Sequence, residues 1–94
     1  MNNKNNSTIL DKSENIISEI TNLDLYSNQY DENILIHNMN KLSPHSILIT
    51  QNNMSNEFIS NYILNKKYFI FREDYELTLD DIINYHPNFK FIIK

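Results

Sequence analysis

Five carboxylates fall within nine residues near the end of this 94-residue chain: Glu73, Asp74, Glu76, Asp80 and Asp81, preceded by a single cation, Arg72. Three kinds of chemistry suit such a cluster. Oxygen ligands at the end of a strand attract hard cations, so Mg²⁺-dependent phosphoryl transfer or nuclease-like hydrolysis through Asp74, Glu76 and Glu73 is one reading. An acidic face for a basic protein, with Tyr75 as its aromatic anchor, is another. The plainest is that Asp80 and Asp81 complement a helix N-terminus while the others are solvated loop charges. Structural charge arrangements often mimic sites, which places the metal reading last of the three.

The other reactive side chains offer less. His37, His45 and His86 show no paired ligand spacing, so a zinc site has little support, and His86 suits a helix C-terminal end. The serines sit at cap and turn positions without a histidine partner in sequence. The chain contains no cysteine and no glycine. Thiolate zinc sites, disulfides and thiol nucleophiles are thereby excluded, as are the glycine-dependent phosphate loop, dinucleotide fingerprint and nucleophile elbow in their usual forms. No cofactor and no metal are expected.

Composition narrows the class further. Alanine, valine and tryptophan are missing as well, while asparagine occurs 17 times and isoleucine 15 times. That skew matches AT-rich coding and points to a virus, a phage, a mobile element or an AT-rich microbe. A net charge of −4 disfavours nucleic-acid binding through phosphate neutralisation. Neither a run of about 18 apolar residues nor a secretory leader is legible, so a cytoplasmic protein is expected. Residues 1–7 read as a disordered polar tail and residues 8–94 as one domain.

The elements that must position these residues follow from apolar spacing. Ser13 caps a predicted helix over 14–23, with Ile16, Ile17, Ile20 and Leu23 as its stripe, and a linker follows over 24–30. Residues 31–42 read as a helix capped by Asp31, although Ile34, Leu35 and Ile36 would also suit a strand. Pro44 stops it. Ile47-Leu48-Ile49 reads as a strand buried on both faces. Ser55 caps a helix reaching Lys66, and Tyr68-Phe69-Ile70-Phe71 reads as a second buried strand. Thr78 and Asp81 form a capping box, with Leu77 and Ile82 as hydrophobic staple, for a helix ending at Tyr85 or His86. Phe89, Phe91 and Ile93 give an edge strand over 89–93.

The expected fold is therefore α/β: two N-terminal helices followed by βαβαβ, forming a small, mainly parallel three-stranded sheet with right-handed crossovers. Ligands of such sheets bind beyond the carboxyl ends of the strands. That rule assembles a rim from Gln51, Asn52 and Asn53 after the first strand and Arg72, Glu73, Asp74, Tyr75 and Glu76 after the second. Tyr26 and Tyr30, in loops, join Tyr75 as aromatic contact candidates.

His86-Pro87-Asn88-Phe89-Lys90-Phe91 resembles the start of a strand in midasin- and dynein-type AAA ATPase modules. The resemblance covers six residues and lacks any phosphate-binding loop, so it carries no nucleotide hydrolysis and assigns no family. The function expected from the sequence is a non-enzymatic protein-binding module of inhibitor or immunity type, which occludes a basic surface of a protein partner. Direct nucleic-acid and membrane binding are not expected. The metal-dependent enzyme and a small subunit of a larger assembly are the alternatives.

Overall fold

The computed structural model describes residues 19–90, and across them the chain is helical, without a strand. The helices are short: α1 (Asn22–Leu25), α2 (Glu32–His37), α3 (Pro44–Thr50), α4 (Asn56–Phe58, continued by a π turn over Ile59–Ile63), α5 (Arg72–Tyr75) and α6 (Leu79–Tyr85). A 3₁₀ turn, Lys66–Tyr68, lies between α4 and α5. The expected tail and residues 14–18 of the first predicted helix lie outside the described residues, as do residues 91–93 of the last predicted strand.

The expected parallel sheet is corrected at its first two strands and at the described start of the third, residues 89–90, and each time a local competitor for the backbone explains why. Ile47-Leu48-Ile49 lies inside α3. Pro44 does not end the preceding helix, which closes at His37; it starts the next one, occupying the first turn, where its missing N–H costs nothing. Ser43 is the N-cap, its hydroxyl accepting from the Ser46 amide at 3.2 Å. Pro44, Ile47, Leu48 and Gln51 are all buried. That is the i, i+3, i+4, i+7 spacing of a helix face, disguised because its last member is polar.

Tyr68-Phe69-Ile70-Phe71 fails as a strand for a different reason. Its start closes the 3₁₀ turn, which Asn65 caps by accepting from the Lys67 amide at 3.0 Å. The amides of Ile70 and Phe71, which a strand would pair, both donate to one side chain, Asp74. Ile70 and Phe71 themselves are exposed. At the third predicted strand the Phe89 amide closes a turn onto His86 O at 2.9 Å, and the Lys90 amide donates to Asn56 Oδ1 at 3.2 Å.

The first predicted helix is revised too. Glu19 and Ile20 are not helical, and Thr21 is the N-cap of α1. Asp24 accepts from the Thr21 amide at 2.8 Å. Leu23 consequently points to solvent and Leu25 is buried. Residues 31–42 begin as expected, with Asp31 as N-cap, but α2 ends at His37 because Asn38 turns inward.

Helix α3 is the hub, packing against α1, α5, α6 and the π turn that continues α4. Around it Leu25, Leu35, Leu42, Ile59, Ile63 and Ile82 close the core, with exposures near zero. Helices of this length are marginal in isolation, so tertiary contacts must hold them. Much of that work falls to amide side chains reaching across the chain to the backbone. Asn38 Oδ1 accepts from the Ile20 amide, Asn22 Oδ1 from Ser43 and Gln29 Oε1 from Asn52, at 3.1, 2.8 and 2.8 Å.

The C-terminal helix forms where its spacing predicts. Thr78 Oγ1 accepts from the Asp81 amide at 3.2 Å, and Asp81 Oδ2 accepts from the Thr78 amide at 2.9 Å. Leu77 packs against the core that Ile82 joins. Thr78→Ala is expected to lower stability by about 1 kcal/mol, read by urea denaturation, because one cap partner is lost from an exposed helix start.

Candidate functional site

The stretch from Arg72 to Asp81 is now two helix starts rather than a loop at the end of a strand. Five acidic residues and one arginine give it a charge of −4, so it carries the net charge of the whole chain, the remaining acids and bases balancing seven to seven. Its members divide into two classes by burial.

Asp74 is fully buried. Oδ1 accepts from the Ser43 hydroxyl at 2.6 Å and the His45 amide at 3.0 Å, while Oδ2 accepts from the Ile70 amide at 2.9 Å and the Phe71 amide at 2.8 Å. One carboxylate thus serves the first turns of both α3 and α5. Burial pushes its pKa up, but the bonds from Phe71, Ser43, His45 and Ile70 outweigh that and hold it below the ordinary aspartate value. Asp81 is also employed, as the reciprocal cap of α6.

Glu73, Tyr75, Glu76 and Asp80 face solvent together with Arg72, and the three carboxylates form no ion pair with any described residue. Tyr75 is anchored through its ring, edge-on to Phe69 at 5.1 Å between centroids. Asp74, between these residues, ties the start of α5 to the start of α3.

The other half of the sequence-derived rim lies elsewhere. Asp74 touches the N-terminal end of α3, whereas Gln51 is its C-cap, so the helix length of roughly 10 Å separates them. Gln51 is buried. Its Nε2 donates to Leu25 O at 3.2 Å and Asn28 O at 2.9 Å, and its Oε1 accepts from the Tyr30 amide at 2.8 Å. Asn52 and Asn53 are exposed beyond it, the Asn52 amide tied to Gln29. Gln51 is therefore an internal fastener of the α1–α2 connection and not part of an exposed rim with Arg72, Glu73, Tyr75 and Glu76. Of the loop tyrosines, Tyr26 is exposed and Tyr30 packs against the core.

Sequence reasoning overlooked a second recess. A groove of about 700 Å³ runs between the end of α2 and the 3₁₀ turn, lined by Glu19, Ile36, His37, Met39, Tyr68 and Ile70 among others. Glu19 receives Lys41 Nζ at 2.6 Å and lies 2.9 Å from His37 Nε2. The hydrogen bonds from Lys41 and then His37 hold the Glu19 carboxyl below its ordinary pKa. Glu19 and His37 are thus engaged with each other, and Lys67, also on the groove, lies over the Tyr68 ring at 5.4 Å.

For metal chemistry the arrangement is unfavourable, since each oxygen of Asp74 already accepts two hydrogen bonds. The described residues contain no group of three His, Asp or Glu placed to hold an ion. Titration of the full chain with millimolar Mn²⁺ is expected to broaden no amide signals selectively at residues 73–76. Saturable broadening confined there would revive the metal reading.

Comparison with protein-family models, with curated protein sequences and with solved structures returns no match. Among the described residues no helix is long and apolar enough to cross a membrane.

Proposed function

We propose that the chain is a small protein-binding module that uses the exposed face of α5 and the start of α6 to cover a basic surface of a protein partner, as an inhibitor or immunity-type protein does. The observation that carries this reading is the concentration of the chain's net charge in residues 72–81, with Tyr75 exposed among Glu73, Glu76 and Asp80. Exposed charges of this kind contribute little to folding, since an isolated surface ion pair is worth about 0–1 kcal/mol. They steer and orient association with a partner of opposite charge. An aromatic side chain with its body held and its face open suits the centre of such a contact.

The test is a photo-crosslinking amino acid placed at position 75 of the full chain and, as control, at the exposed Tyr26. In extracts of the cells that make the protein, a saturable adduct with a basic protein is expected from position 75 alone. It should disappear on raising the salt and in the Glu73→Lys/Glu76→Lys variant. That variant should keep its thermal stability to within about 0.5 kcal/mol, because both side chains are exposed. Equal labelling from position 26, or labelling indifferent to the charge reversal, would count against the acidic face.

A further inference from the structure

We infer that the element received on this face is a basic amphipathic helix of the partner, with aliphatic side chains on one side and lysine or arginine on the other. This rests on the protein-binding reading and adds the partner's chemistry to it. Helices α5 and α6 both leave large apolar side chains in solvent. In α6 the buried Ile82 is flanked by Leu79, 55% exposed, and Ile83, 41% exposed, which are four residues apart and so lie one above the other on one side of the helix. Phe71, the extended residue that precedes α5, is 46% exposed, and Tyr75, which ends α5, is 63% exposed. Glu73 and Glu76 neighbour Tyr75 in sequence and Asp80 neighbours Leu79.

Charge and apolar area together select the occupant. A nucleic acid or an anionic membrane would be repelled by a stretch of charge −4. A wholly hydrophilic cationic segment would leave four large apolar side chains in water. A second copy of this chain would bring the same carboxylates face to face. A cationic surface with apolar side chains at helical spacing satisfies both features, since residues at i, i+3, i+4 and i+7 can meet an exposed helical pair such as Leu79 and Ile83 on a facing helix.

The probe is a 14-residue peptide of leucine and lysine with leucines at helical spacing, titrated into the ¹⁵N-labelled full chain. Controls are a peptide of the same composition with the two residues alternating, and a 14-residue polylysine. The helical peptide should shift the amides of residues 71–76 and 79–83 and bind at least tenfold more tightly than either control. Leu79→Asp should weaken it tenfold or more while the fold is kept, because Leu79 is exposed in the first turn of α6, where a carboxylate is favourable. If all three peptides bind alike at the carboxylates, the helix inference fails and the acidic-face reading survives. If no basic peptide binds at low salt, both fail. Self-association that shifts the same amides would replace the partner helix by a second copy.

Discussion

Asp74→Asn is expected to lower the stability of the fold by about 3–4 kcal/mol, a large share of the roughly 5–10 kcal/mol available to a small domain. The substitution keeps the shape of the side chain and changes only its chemistry. Both carboxylate oxygens are acceptors, each serving two donors, from Ser43, His45, Ile70 and Phe71. An asparagine must turn its NH₂ towards one of those pairs, opposing donor to donor at a buried position. The first turns of α3 and α5 loosen together, so amide exchange should rise at residues 45–46 and 70–71 along with the fall in urea midpoint.

The pH dependence follows from the same bonds. Because the folded pKa of Asp74 is depressed, its contribution is fully present above the unfolded aspartate value of about 3.9 and is lost as pH falls through the folded pKa. The stability gap between the natural chain and Asp74→Asn should therefore be constant near neutrality and shrink below about pH 4. A gap independent of pH down to 2 would show that the carboxylate charge is not what the four donors require.

The second large effect is expected at Gln51. Replacing it with leucine should cost about 3 kcal/mol, since two carbonyls, Leu25 O and Asn28 O, and the Tyr30 amide lose their partner beneath the turn that joins α1 to α2. The loss should be local before it is global, with exchange protection disappearing over residues 25–30 first. Asn52→Ala, one residue further on and exposed, should change stability by no more than about 0.5 kcal/mol. Equal effects at the two positions would mean that the buried amide does not fasten the turn.

Both residues show why the sequence was only partly readable. Local rules located what depends on local chemistry: Thr78 with Asp81 begins α6, Ser55 begins α4, and Asp31 begins α2. They failed where the side chain that settles the backbone is itself placed by the tertiary fold. Ile70 and Phe71 have the composition of a strand, but a carboxylate on the following turn takes their amides. Ile47 to Ile49 is a short apolar run, which cannot be assigned to helix or strand by periodicity alone. The deciding neighbour was Gln51, a polar residue in a buried place. The acidic stretch was visible as charge. Which of its carboxylates is internal was not, because burial of Asp74 depends on residues near position 43 folding beside it.

The abundant asparagine has the same double character. Coding bias accounts for the supply, yet Asn22, Asn38 and Asn56 each hold a backbone amide 18 to 34 residues away. An amide side chain offers both a donor and an acceptor, so it can substitute for a strand neighbour wherever a connection must be secured.

The carboxylate of Asp74 also sets a timetable for biosynthesis. The first turn of α3 takes two of its hydrogen bonds from a residue 29 to 31 positions downstream, so that turn gains its full set of partners only after residue 74 has left the ribosome.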